Sequence, residues 1–175
     1  MLILLDSADL HALSELIPQY PVDGVTTNPT IIGRSCSAKR EISELLQSIQ
    51  HLIGEGRMLH IQVTATAVFT PQQALIAAKA GADFVAPYLN RLDDLAIDGS
   101  RVVSEIKQIL HQYSLNTRVL AASFKNIEQI HQVCLSGADA LTVSPELYKN
   151  MLFHPLTNLS VDRFEQDWAA IPGSL

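Results

Sequence analysis

The sequence predicts a parallel α/β domain of repeated strand–helix units, about six of them, followed by a C-terminal helix. Three observations carry this expectation. Short β-rich runs alternate with segments of helical period along the whole chain. Most of the runs are apolar almost throughout, as strands buried on both faces of a parallel sheet must be. The residue mix is aliphatic, 47% hydrophobic but only 6% aromatic, which favours helices packed on a sheet over an aromatic-rich sandwich.

In chain order the expected strands are Leu2–Leu5, Gly24–Thr27, Met58–Thr64, Phe84–Ala86, Arg118–Ala122 and Ala140–Val143. Between them Ile42, Leu45, Leu46, Ile49, Leu52 and Ile53 form one helical stripe. Val102, Val103, Ile106, Ile109, Leu110 and Tyr113 form another. Thr70-Pro71-Gln72-Gln73 reads as a capping box with proline at the first helical position. Ser144-Pro145-Glu146 is a start signal of the same kind, and Gly81 and Gly137 read as helix stops. A last helix, Val161 to Ala170, has no strand after it. Nothing in the 175 residues marks a linker, so residues 1–175 are expected to be one domain. A complete eight-unit barrel takes about 250 residues. Six units leave a small closed barrel, an incomplete barrel, or a sheet completed by another chain.

Composition narrows the function. A net charge of −6 with no clustered Lys or Arg argues against nucleic acid as partner. No apolar run reaches membrane-spanning length. The run Leu2–Leu5 ends at Asp6 without a basic flank, unlike a signal peptide. Cys36 and Cys134 are far apart and lack zinc spacing, which fits a reducing, cytoplasmic setting.

In parallel α/β folds ligands bind at the carboxyl ends of the strands. Those ends carry Asp6; Thr26, Thr27 and Asn28; Gln62, Thr64 and Thr66; Tyr88, Asn90 and Arg91; Ser123 and Lys125; and Thr142 and Ser144. One carboxylate, many hydroxyls and amides, a phenol and two cations make a poor metal site, so no metal is expected. The set suits a polyhydroxylated, phosphorylated ligand, with Arg91 and Lys125 available to the phosphate.

Several strings are specific enough to indicate a family. They are Leu5-Asp6-Ser7, Gly24-Val25-Thr26-Thr27-Asn28-Pro29-Thr30-Ile31-Ile32, Ile61-Gln62-Val63, Thr66-Ala67-Val68-Phe69, Val85-Ala86-Pro87-Tyr88-Leu89-Asn90-Arg91, Val119-Leu120-Ala121-Ala122-Ser123-Phe124-Lys125 and Phe164-Glu165-Gln166-Asp167-Trp168. Together they resemble the transaldolase family, nearest its small fructose-6-phosphate aldolase-like branch, in family order from end to end. The resemblance implies a TIM-barrel-derived fold and sugar-phosphate ligands. It also implies class I aldolase chemistry, in which a lysine forms a Schiff base and no cofactor is used. By motif, Asp6, Thr26, Asn28, Gln62 and Thr66 would surround the reacting carbons. Tyr88 or Thr66 would assist proton transfer through water, and Arg91 and Ser123 would bind the phosphate. The resemblance further implies a homo-oligomer, a ring-shaped pentamer or decamer, with the last helix packed on a neighbour.

One departure is large. The family's Schiff-base lysine lies on a strand reading roughly Val-Lys-Ile-Pro-Val-Thr, and no such string exists here. The run His60 to Phe69 resembles the family's third strand joined directly to the end of its fifth. About two units would then be gone, which agrees with the independent unit count. Of five lysines only Lys125 lies just past a strand end on the correct face, so it is the one substitute nucleophile to weigh. Enzyme activity is accordingly left open, against a non-catalytic sugar-phosphate binder or an oligomeric scaffold. Plainer roles stand beside each assignment. Asp6 would cap the first helix, Thr26 and Asn28 would be loop hydrogen-bonders before Pro29, Tyr88 would be a core tyrosine, and Arg91 would pair with Asp93 or Asp94.

Overall fold

Parallel strands buried on both sides need helices over one face and something else over the other, and that requirement organises the molecule. In the computed structural model, which describes residues 1–36, 39–54, 58–60 and 64–171, the elements run in order. They are β1 (Leu2–Asp6), α1 (Leu10–Leu16), β2 (Gly24–Thr26), α2 (Pro29–Ser35), α3 (Lys39–Ile53), β3 (Met58–His60), β4 (Thr64–Val68), α4 (Pro71–Lys79), β5 (Phe84–Pro87), α5 (Leu89–Asp93), α6 (Gly99–Gln112), β6 (Arg118–Ala121), α7 (Ile127–Leu135), β7 (Ala140–Val143), α8 (Pro145–Leu152) and α9 (Pro155–Ala169). The shortened parallel βα repeat with a terminal helix is the fold the sequence predicts.

The local signals act as read. Thr70 caps α4 by accepting from the Gln73 N–H, while Gln73 Oε1 accepts from the Phe69 N–H, one residue further back than a capping box would reach. Ser144 caps α8 ahead of Pro145. Gly81 and Gly137 stop their helices at φ +90° and +79°, which only glycine adopts cheaply. The final helix starts earlier than its stripe suggests, at Pro155, because His154 Nδ1 caps it by accepting from the Leu156 N–H.

One expected element divides. The Met58–Thr64 run was expected as a single strand. Instead Met58–His60 pairs with β2, and Thr64–Val68 pairs with β5. Residues 61–63, Gln62 among them, lie outside the described residues. Strand propensity scores a run without saying which neighbour it will pair with, so a run shared between two partners reads as one strand.

All pairings are parallel, in the order β3-β2-β1-β7-β6-β5-β4. β3 and β4 are therefore the two edges, yet three residues separate them in the chain. Four Cα–Cα steps span at most about 15 Å. A flat seven-stranded sheet would hold its edges about 29 Å apart at the usual strand spacing. The sheet must therefore curl into a partial barrel. Among the described residues the two edges do not pair with each other, so the barrel is incomplete.

Side chains alternate across this curled sheet with period two. Ile3, Leu5, Val25, Val85, Val119, Ala121, Leu141 and Val143 face outward into the main core. They pack there with Leu13, Ile49, Ile53, Val103, Ile106 and Val133 from the surrounding helices. The alternate residues face inward. Near the amino ends of the strands these are Leu2, Leu4, Phe84, Leu120 and Ala140, a small apolar plug. Phe84 is fully buried, and the Arg118 guanidinium lies 4.2 Å from its ring centroid. Two residues further along β1 and β7 the inward set turns polar, at Asp6 and Thr142, and Thr26 joins them from β2; that change places the site.

Candidate functional site

The inward positions toward the carboxyl ends are Asp6, Thr26, Thr66, Ala86 and Thr142, with Tyr88 and Ala122 just beyond their strands and Thr64 at the start of β4. With Thr27 and Asn28 they line a cavity of about 330 Å³. It opens outward to a wider vestibule of about 910 Å³, and Asp6, Asn28, Tyr88 and Ala122 border both. The vestibule adds Arg34, Arg91, Lys125, Ser123, Ser7 and Ser144. An inner chamber rich in hydroxyls thus leads to an outer ring rich in cations.

The register of β1 and β2 sets Asp6 opposite Thr26, and the Thr26 hydroxyl donates to Asp6 Oδ1 at 3.1 Å. Thr26 Oγ1 also meets Thr142 Oγ1 at 2.5 Å. Thr26 has one proton, so while it donates to Asp6 it must accept from Thr142. The hydroxyls form a chain polarised toward the carboxylate. β2 and β7 flank β1, and only strong inward curvature brings their side chains into contact. Burial pushes the Asp6 carboxyl above the usual carboxylate range, and the Thr26 hydrogen bond offsets part of that rise. Asp6 does not cap α1. Asp9 does, accepting from the N–H groups of His11 and Ala12.

On the opposite wall a register shift falls between Thr66 and Val68, with Ala67 at φ +57°. Such an irregularity re-aims the neighbouring side chain. Here the Thr66 hydroxyl meets the Tyr88 phenol at 2.8 Å. Tyr88 also packs edge-on against Phe69 at 6.1 Å, and the Arg91 guanidinium sits 5.3 Å from its ring centroid. Asn28 caps α2 by accepting from the N–H groups of Thr30 and Ile31, so a local role and a place on the chamber wall coincide. Thr27 Oγ1 is buried on that wall without a hydrogen-bond partner among the described residues. A buried unpaired hydroxyl is costly, and a bound polar group would relieve the cost.

Arg91 does not pair with the acids that follow it. Asp93 accepts from the Gly99 N–H and from Gln129 Nε2, and Asp94 accepts from Asn90 Nδ2. Gln129 Oε1 accepts from the Lys125 N–H, so one glutamine side chain ties together the segments that carry Arg91 and Lys125. Ser123 stands at φ +64°, a strained value for serine, with its carbonyl accepting from the Asn90 N–H.

The structure therefore brings Asp6, Thr26, Asn28, Thr66 and Tyr88 around the chamber, and Arg91, Ser123 and Lys125 around its mouth. Gln62 lies outside the described residues. Thr27, Thr64 and Thr142 also line the chamber. For Thr142 the signal is inward parity along its strand; Thr27 follows Thr26 out of β2 and carries no such signal. Arg34, on the last turn of α2, was missed altogether, because the strand-end rule does not reach a helix terminus.

Comparison with known proteins agrees with this arrangement. The sequence model of the family "Transaldolase/Fructose-6-phosphate aldolase" matches residues 3–57 and 46–174, two pieces that overlap at residues 46–57, just before the divided strand run. A "Probable transaldolase" of Roseobacter denitrificans is 33% identical over 207 residues, covering 93% of this chain and 94% of the relative. A "Probable transaldolase" of Caulobacter sp. (strain K31) is 32% identical over 216 positions, covering all of both chains. Against the 175 residues here, that alignment leaves 41 positions this chain does not fill. Among solved structures, thiamine phosphate pyrophosphorylase from Pyrococcus furiosus superposes with a TM-score of 0.57 at 14% identity. It covers 82% of this chain and 84% of that one, a likeness of fold alone. The motifs, the parallel partial barrel and these matches have one conclusion: the chain belongs to the transaldolase/fructose-6-phosphate aldolase family.

Proposed function

We propose that this protein binds a phosphorylated sugar non-covalently, with the carbon chain in the inner chamber and the phosphate at Arg91 and Ser123. The observation that carries the reading is a contrast. The chamber keeps a carboxylate, a phenol and a set of hydroxyls suited to sugar OH groups, but among the described residues lining it there is no lysine. Class I aldol chemistry needs an amine that can reach the substrate carbonyl.

The lysines are accounted for one by one. Lys107 donates to both Asp139 oxygens at 2.7 and 2.8 Å, near the amino ends of the strands. Lys149 pairs with Glu15 at 2.8 Å. Lys79 is on the last turn of α4, and Lys39 opens α3. Lys125 is exposed and lines the vestibule rather than the chamber. The unfilled positions in the relatives' alignment support the loss of the strand that bears the family's nucleophile. In this reading Asp6, its carboxyl raised above the usual range by burial, and Tyr88 orient the ligand's hydroxyls instead of serving a Schiff base.

Fructose 6-phosphate at a hundredfold excess over Kd should raise Tm by about 5–10 °C for a domain of this size. Arg91→Ala should abolish that rise. Borohydride reduction with dihydroxyacetone should leave the protein mass unchanged. A lysine adduct that disappears in Lys125→Ala would restore the covalent reading and overturn the non-covalent one.

Assembly is part of the proposal. Every residue of α9 is exposed, including Phe164 at 68% and Trp168 at 66%. A helix that buries nothing in its own protomer is best explained by packing on another copy.

A further inference from the structure

We infer that the ligand carries two anionic groups, one held by Arg91 and Ser123 and the second by Arg34 across the vestibule. The inference rests on the sugar-phosphate reading and goes beyond it, since a sugar monophosphate would use only one end of the mouth.

The first support is charge. The chain carries 12 basic and 18 acidic residues, a net charge of −6. Yet three of the basic ones, Arg34, Arg91 and Lys125, border one vestibule, and none of them makes an ion pair among the described residues. The two acids there are otherwise occupied. Asp9 is spent on the first turn of α1, and Asp6 is turned to the Thr26 hydroxyl. Three unpaired cations around a concavity repel one another, and bound anions remove that cost.

The second support is position. Arg34 follows β2, whereas Arg91 and Lys125 follow β5 and β6. In the sheet order β1 and β7 stand between β2 and β6, and the curl turns β2 to face β5 and β6 over the chamber. The segments that carry Arg91 and Lys125 are also tied together by Gln129, through Asp93 Oδ2 and the Lys125 N–H, which makes them one pole. Arg34 has no connection to that network and forms the other pole. A single phosphate dianion is served by Arg91, Ser123 and Lys125. Arg34 is then left for a second phosphate or a carboxylate at the far end of the same molecule.

Titration calorimetry on the full chain separates the possibilities. Fructose 1,6-bisphosphate should bind at least about tenfold tighter than fructose 6-phosphate, the worth of one further charge-assisted contact. 6-Phosphogluconate tests whether a carboxylate can take the second place. Arg34→Ala should erase the advantage of the doubly charged ligand while weakening the monophosphate far less and without lowering Tm, because Arg34 is exposed and makes no ion pair among the described residues. Arg91→Ala should weaken all three ligands. Equal affinities for mono- and bisphosphate, or an Arg34→Ala variant that keeps the difference, would overturn the inference and leave the sugar-phosphate reading standing. Failure of all three ligands to bind would overturn that reading, and this inference with it.

Discussion

At the scale of single residues, Asp6 shows how one atom's surroundings decide a role. The sequence allowed it to be a helix cap, and a cap carboxylate is stabilised in its charged form by backbone N–H groups. Asp9 takes that work, and Asp6 is left with one hydroxyl donor in a part-buried chamber. Its folded pKa is raised above the unfolded value. The sign of the linkage follows. The folded state holds the Asp6 proton more tightly than the unfolded state, so stability falls as pH rises from about 4 through the folded pKa. Above the unfolded pKa the raised value is a cost to the fold. Asp6→Asn removes the charge and keeps an oxygen to accept from Thr26. Thermal melting should therefore find Asp6→Asn more stable than the parent at pH 7, with the difference shrinking as pH falls toward 4. A variant no more stable at pH 7 would mean that other interactions fully offset the desolvation of Asp6.

At the scale of elements, the mouth of the site depends on how closely α5 sits on α6. Gly99 opens α6, its N–H donates to Asp93 Oδ1 at 3.0 Å, and a Cβ there would lie 3.2 Å from the backbone Cα and carbonyl oxygen of Leu89. Backbone cannot swing aside as a side chain can, so Gly99→Ala must push α5 outward, and Arg91 with it. The expected cost is about 1–3 kcal/mol. It should be read as a lower urea midpoint together with weaker phosphate binding, whereas a purely local effect would lower only the first. Most elements were legible because each carries its own instructions. Apolar runs of strand length, Thr70 and Ser144 as caps, and Gly81 and Gly137 as stops are all encoded locally. The divided run from Met58 to Val68 was not legible, because pairing is a property of two strands and the sequence of one does not name its partner. The site was legible to the same depth. Asp6, Thr26, Asn28, Thr66, Tyr88, Arg91 and Ser123 sit where strand ends and motifs put them. Arg34 arrives by a helix whose path no strand-end rule traces.

At the scale of the whole molecule, the curl and the last helix pose one problem with two faces. Curling lets a shortened sheet keep an enclosed chamber, but it leaves edges at β3 and β4 and adds no core to cover α9. That helix has 15 residues and none is buried, which is near the lower limit of length for a stable isolated helix even in favourable sequences. Val161, Phe164 and Trp168 fall on one side of it at helical spacing, each about half exposed or more. Burying the Phe and Trp side chains on a second copy would contribute roughly 1.5–3 kcal/mol apiece, enough to hold the helix and fix an assembly. The double variant Phe164→Asp, Trp168→Asp should then shift native mass spectrometry from an oligomer to the 19.2 kDa chain and reduce far-ultraviolet helicity by the length of α9. Ligand binding by the barrel should persist, since no residue of α9 lines the chamber or the vestibule. If the variant keeps both its mass and its helicity, α9 does not join protomers. If ligand binding falls with the mass, the neighbouring copy is helping to shape the mouth.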